Sequence, residues 1–126
     1  PYVMPSTDIG AYAKGEGHPQ IAGTFPKYLK EMVRERKLLS LEEAVYKATW
    51  MPAQVFGFAQ KGEISVGKDA DLTLFDAEKI CDKADYPHRG APDARPEGIP
   101  YVFVDGVLTV KNGEYTGACS GKIIKK

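Results

Sequence analysis

Residues 67–76, GKDADLTLFD, set a Gly-Lys turn and two aspartates directly against an apolar strand. Together with residues 61–66, KGEISV, they read as a β-arch in which Gly62 and Gly67 supply turns, Ile64 and Val66 face a core, and Leu72 to Phe75 pair back. Asp69 and Asp71 flank the turn, where short carboxylates bond to nearby backbone N–H groups. Two carboxylates without a histidine would make a poor transition-metal site, so the stretch reads as structural.

Upstream of the arch the pattern is helical. Residues 1–8, PYVMPSTD, are short, apolar and broken by two prolines, which suits the end of a strand leading into a loop. Gly10 to Gly23 then reads as a long loop. Phe25, Tyr28, Leu29, Met32 and Val33 recur at three- and four-residue spacing and predict a helix over 25–37, capped by Thr24 with Pro26 in its first turn. Ser40 with Glu43 makes a capping box and predicts a second helix over 41–49, with Leu41, Ala44, Val45 and Ala48 on one face. Pro52 interrupts that pattern. A third short helix is expected to restart there and to stop at Gly57, with Trp50 beside the break as a packing anchor.

Downstream the period changes to two. Strands are expected at 71–75, 101–104 and 107–111, the last two joined by Asp105-Gly106, with a second tight turn at Asn112-Gly113. Residues 77–100, with Pro87, Pro92, Pro96 and Pro100 among many charges, read as a surface excursion rather than a separate domain. Helices come first and strands second.

Composition narrows the function classes. The chain has 126 residues, of which 43% are hydrophobic and 27% charged, enough to build a core and too apolar for disorder. Seventeen basic residues balance seventeen acidic ones, so no global field would draw in nucleic acid or an anionic membrane. No apolar run approaches the roughly 20 residues of a membrane helix, no secretory signal pattern is present, and a cytoplasmic location is the default expectation. Cys81 and Cys119 belong to no Cys-x-x-Cys pair and are expected to be free thiols. The chain begins at Pro1, inside what reads as a strand end, which points to a piece of something longer.

The order of pieces is more specific than any one residue. LSLEEAVYKATWMPAQVFGF, then KGEISVGKDADLTLFD, then EGIPYVFVDGVLTVKNGEYTG resembles the C-terminal end of the amidohydrolase superfamily, enzymes with a metal-bearing (β/α)8 barrel and a small β-sandwich. In that resemblance the opening stretch is the strand that returns the chain from barrel to sandwich. Within the superfamily, STDIG, HPQIAGTFPKYL and ERKLLSLEEAVYKAT are most similar to the N-acyl-D-amino-acid deacylases, or D-aminoacylases, although Gln20 stands where that group commonly has Arg and Ile9 interrupts its Ser-Asp-Gly pattern. The fold class implied is α/β: residues 1–60 would end the barrel with its last strand and helices, and residues 61–126 would supply sandwich strands.

The resemblance also implies the chemistry. Asp8 would be the aspartate after the eighth strand, general base and then general acid in cleaving an N-acyl-D-amino acid. Read by itself, an Asp before a Gly-rich loop is a turn residue. Gly10, His18 and Pro19 would belong to a substrate loop, with a plain surface role for His18 standing beside that reading; His88 has no role and is expected to be exposed. Zinc is the cofactor implied for the full-length parent. Hydrolytic zinc takes about three protein ligands, and with two unpaired histidines this chain alone is expected to bind no catalytic zinc, to be inactive, and to self-associate or to pair with the N-terminal part of the parent. Two rivals remain. One is a cyclic amidohydrolase resembling hydantoinases or dihydropyrimidinases, in which the aspartate is usually followed by a His within a few residues, unlike Asp8-Ile9-Gly10-Ala11. The other is a non-catalytic binding or assembly module.

Overall fold

The computed structural model describes residues 2–8, 10 and 12–124. Its element order is α1 (Gln20–Leu29), a π-helical segment (Lys30–Glu35), α2 (Leu41–Ala48), α3 (Trp50–Phe56), β1 (Leu72–Leu74), β2 (Tyr101–Val104), β3 (Val107–Lys111) and β4 (Glu114–Tyr115). The helices pack in sequence, and the four strands form one antiparallel sheet in the order β1-β2-β3-β4. No described helix is long and apolar enough to cross a membrane.

The first helix starts a turn and a half before the position its apolar spacing predicts. Pro19 already holds a helical φ of −58°, and the Gln20 N–H, an orphan donor at a helix start, is taken by Nδ1 of His18 at 3.2 Å. Thr24 is therefore inside the helix, its hydroxyl donating back to the Gln20 carbonyl, rather than capping it. Pro26 sits mid-helix and is buried. Downstream of it the chain widens, and the Arg36 N–H reaches the Glu31 carbonyl five residues back.

The second and third helices follow their local signals. Ser40 Oγ accepts from the Glu43 N–H at 3.1 Å while the Glu43 carboxylate accepts from the Ser40 N–H at 2.9 Å, a complete capping box. Helix α3 begins at Trp50, which stacks on Tyr46 with ring centroids 5.3 Å apart, and Pro52 lies in its first turn. It ends at Gly57 with φ +70°, where Phe58 and Gly57 donate to the Ala53 and Gln54 carbonyls in a Schellman arrangement.

The arch is the main departure from expectation. Residues 63–66 form no strand, and Ile64 and Val66 are 90% and 105% exposed instead of facing a core. The physical reason is that Gly62 and Gly67, both at φ near +90°, turn the chain at each side of a four-residue run, and the Asp69 N–H closes the loop onto the Gln60 carbonyl. Gly62 is required for a second reason, since a Cβ there would lie 2.6 Å from that of Ala53. With no strand at 63–66 to pair, β1 pairs with β2 in the register Leu72↔Phe103, Thr73↔Val102, Leu74↔Tyr101.

Both Asx-Gly turns form. Asp105-Gly106 and Asn112-Gly113 have positive φ at both residues, the geometry of the two-residue hairpin loop. Between them β2 and β3 slip by one residue at Thr109, which turns inward, becomes buried and donates its hydroxyl to the Val102 carbonyl at 3.1 Å. The aspartates of the opening stretch are structural, with distant rather than neighbouring partners. Lys61 pairs with Asp69 at 2.9 Å and with Asp71, whose other oxygen accepts the Asp105 N–H at 2.7 Å.

The proline-rich residues 77–100 are more than a surface excursion. Their base is pinned where the Asp76 N–H meets the Gly98 carbonyl at 2.8 Å and Cys81 bridges Glu97, while Ile80 and Pro92 rank among the most buried residues described. Cys81 and Cys119 are free thiols, Cys81 half-buried and Cys119 exposed. Among the described residues 2–8 there is no strand. A barrel strand needs neighbours, and no described strand of this chain lies beside these residues; Pro1, also part of that expected strand, and Ile9 lie outside the described residues.

The Lys61–Asp71–Asp105 connection should be measurable. The hydrogen bond from Lys61, followed by that from the Asp105 amide, holds the Asp71 carboxyl below its ordinary range, and the bonds from Asp71 and Asp69 raise the Lys61 ammonium. The Asp71 contribution is therefore present above the ordinary carboxylate pKa of about 3.9 and lost as pH falls through the lowered folded value. The Lys61 contribution is present below about 10.4 and lost as pH rises through the raised one. Both groups are partly exposed and screened, so Asp71→Ala should lower stability at neutral pH by about 1–2 kcal/mol, and Asp71→Asn, which keeps an acceptor, by roughly half. Denaturant unfolding at pH 7 and below 3 checks this, with the gap between variant and wild type closing in acid.

Candidate functional site

The residues singled out in sequence fall in the segment before α1. Asp8 lies outside any helix or strand, exposed and with a φ of +45°, a left-handed conformation that Asp tolerates better than most residues. It makes no hydrogen bond or ion pair with the described residues. Gly10 is exposed, and nothing lies within 4 Å of where a Cβ would stand, so the chain there is open on its side-chain face. His18 and Pro19 form the entry to α1. No hydrogen bond or ion pair links Asp8 or Gly10 to them.

His18 is better held than an isolated surface histidine. Its Nδ1 accepts the Gln20 N–H, which places the proton of the neutral ring on Nε2; that nitrogen lies 3.0 Å from the Tyr86 hydroxyl oxygen and donates to it. The two rings meet edge to face with centroids 4.9 Å apart. Both nitrogens of His18 are thus engaged within the chain. Tyr86 Oη keeps its own proton for a further acceptor.

Tyr86 is the residue that sequence reasoning missed. Its ring stacks on His88 at 5.8 Å and carries the Arg89 guanidinium 5.4 Å from its centroid, and Arg89 in turn pairs with Asp85 at 2.7 Å. The Tyr86 N–H, followed by Arg89, holds the Asp85 carboxyl below its ordinary range. His88, exposed as expected, has a packing partner after all. Nothing in the local pattern of residues 85–89 could have pointed to His18, which is 68 positions away.

No group of three His, Cys, Asp or Glu side chains among the described residues could hold a metal ion. The donors present do not fit a zinc centre by themselves, since Asp8 stands alone and His18 has both nitrogens occupied.

Residues 6–113 match the model of an amidohydrolase family. An N-acyl-D-glutamate deacylase from Alcaligenes xylosoxydans xylosoxydans is 45% identical over 89 residues, covering 71% of this chain and 18% of the relative. A D-aminoacylase from the same organism is 36% identical over 109 residues. The crystal structure of a D-aminoacylase superposes with a TM-score of 0.79 at 36% identity, over 86% of this chain and 22% of its own. An N-acyl-D-glutamate deacylase from Bordetella bronchiseptica, complexed with zinc and a phosphonate mimic of the reaction's tetrahedral intermediate, superposes at 0.68 with 38% identity, over 73% and 19%. This chain spans about a fifth of the length of these relatives. With 6–113 inside the family model, the chain belongs to the amidohydrolase family.

Proposed function

We propose that this chain is the C-terminal portion of a metal-dependent hydrolase that cleaves the amide bond of N-acyl-D-amino acids. The observation that carries the reading is the exposed, unpaired carboxylate of Asp8 at the start of a stretch matching an amidohydrolase and resembling deacylases. In this reading residues 1–60 close a (β/α)8 barrel and residues 61–126 add strands to a small β-sandwich. The antiparallel β1–β4 meander and its open β1 edge support the second assignment.

Asp8 takes a proton from the water that attacks the acyl carbonyl and hands it to the departing nitrogen, so one carboxylate serves as base and then acid. Gly10, His18 and Pro19 form the loop past which the substrate enters. Gly10 leaves room, Pro19 stiffens the chain, and His18 shapes the loop through its bonds to Gln20 and Tyr86. Zinc belongs to the full-length parent and is held by donors outside this chain, and Asp8 has no ligating role here. A cytoplasmic location goes with this reading.

In the full-length enzyme, Asp8→Asn should lower kcat by about 10²–10⁴-fold with metal content unchanged, since an amide accepts no proton. Steady-state kinetics on an N-acyl-D-amino acid beside elemental analysis test it; a normal kcat would remove Asp8 from the mechanism. Turnover of a cyclic amide and not of the linear one would favour a hydantoinase-like enzyme.

Many apolar side chains stand in solvent here, among them Tyr2 at 93% and the loop residues Ile64 and Val66. With the free β1 edge, they make the isolated chain an adhesive one. Light scattering on the purified 126-residue chain should show dimers or larger species, whereas a monodisperse monomer with cooperative unfolding would favour a self-sufficient module.

A further inference from the structure

The segment between β1 and β2 does not stand away from the molecule. It runs back over the entry to α1 and grips it at several points. Asp93 Oδ2 accepts the Gly15 N–H at 2.9 Å, the Tyr86 hydroxyl accepts from His18 Nε2 at 3.0 Å, and Asp82 pairs with Lys30 at 3.5 Å. Gly23, buried on α1, rests against Ala84 and Asp82, so a Cβ there would stand 3.5–3.6 Å from theirs. The base of the segment is closed independently by Asp76 and Gly98. A ribbon anchored at its base and bonded along its length to a glycine-rich loop is a strap. Glycines at 15 and 17, both at positive φ, would otherwise leave that loop with many conformations.

We propose that residues 82–93 are a strap for the loop 12–19, and that Tyr86 is the positioning residue that holds His18 and, through it, the first turn of α1. The chain of contacts is directional. His88 and Arg89 hold the Tyr86 ring, the Tyr86 oxygen orients the His18 imidazole, and the oriented Nδ1 takes the Gln20 N–H. The consequence for catalysis rests on the function proposed above; the strap itself does not. With the loop in one orientation, substrate meets a preformed entrance, and the ordering is not charged against binding.

Hydrogen exchange on the full-length protein reads the strap, with the Gly15 and Gln20 amides as reporters. Tyr86→Phe keeps the ring and removes the acceptor. It should raise exchange at Gln20 about tenfold, the size of one neutral hydrogen bond, while α2, α3 and the β2–β3 hairpin stay unchanged. His18→Ala should do the same, and the double variant should add nothing further, because the two changes break one connection. Exchange at Gln20 within about twofold of wild type in Tyr86→Phe, or effects that add, would overturn the strap. If Tyr86→Phe loosens the whole chain, Asp93→Ala decides instead: the Gly15 amide must open selectively, and a protected Gly15 overturns the proposal.

Kinetics read the positioning role. Tyr86→Phe should raise KM several-fold with kcat within about twofold, a split that general destabilisation would not give. An unchanged KM beside altered exchange would overturn the positioning role in substrate binding. Failure of the hydrolase reading shows separately, as no turnover of any N-acyl-D-amino acid by the full-length wild type with the exchange pattern intact.

Discussion

One ammonium group ties the segment that follows the helices to the sheet. Lys61, just past α3, sits between the carboxylates of Asp69 and Asp71, and the free oxygen of Asp71 takes the amide of Asp105 at the tip of the β2–β3 hairpin. The tie matters because β1 and β2 are neighbours in the sheet but are separated in sequence by residues 75–100. Closing so long a connection costs entropy that three residues of strand pairing offset poorly. The closure is therefore supported at its foot by Asp76 and Gly98, by the bridge between Cys81 and Glu97, and at its head by Asp71. Hydrogen bonds to a charged carboxylate suit the task, since they are stronger than neutral ones and tolerate partial exposure.

The same economy of core explains the surface. Ala44, Ala53 and Ile80 are the buried hydrophobic residues described, and the other buried positions are Gly23, Pro26, Pro92 and Thr109. Small and rigid residues let backbone approach backbone, while much of the larger apolar material faces outward. Hydrophobic burial is the main source of folding energy, so a chain with this distribution draws little of that energy from its own core. The matched relatives are about four times as long as this chain, and the function proposed above would give those outward faces a partner in the longer parent.

Some elements were legible because their signals are local. The capping box of Ser40 and Glu43, the Gly57 stop and the Asx-Gly turns each depend on residues within a few positions and are found where the pattern puts them. The same holds for the positions of the three main strands. Three readings failed for reasons that are not local. Ile64 and Val66 alternate like a strand, but alternation makes a strand only beside a partner, and β1 had a better one in β2. The helix over 25–37 was read from its apolar face alone, whereas its start is set by the side chain of His18 and by Pro19. The proline-rich segment looked like surface because prolines and charges dominate it, yet it packs Ala84 and Asp82 against Gly23 of α1 and holds Pro92 and Ile80 buried.

The sequence by itself determined the class of the chain, helices before strands, the cap and turn positions, and through its motifs the family resemblance and the candidacy of Asp8. These follow from backbone preferences and from residue spacing, which act over a few positions and need no tertiary context. Tertiary structure alone decided that Asp71 reaches Asp105, that Thr109 turns inward, and that His18 meets Tyr86. Each joins groups by a hydrogen bond whose strength depends on tenths of an ångström and on angle, and whether such groups meet is decided by the whole path of the chain between them.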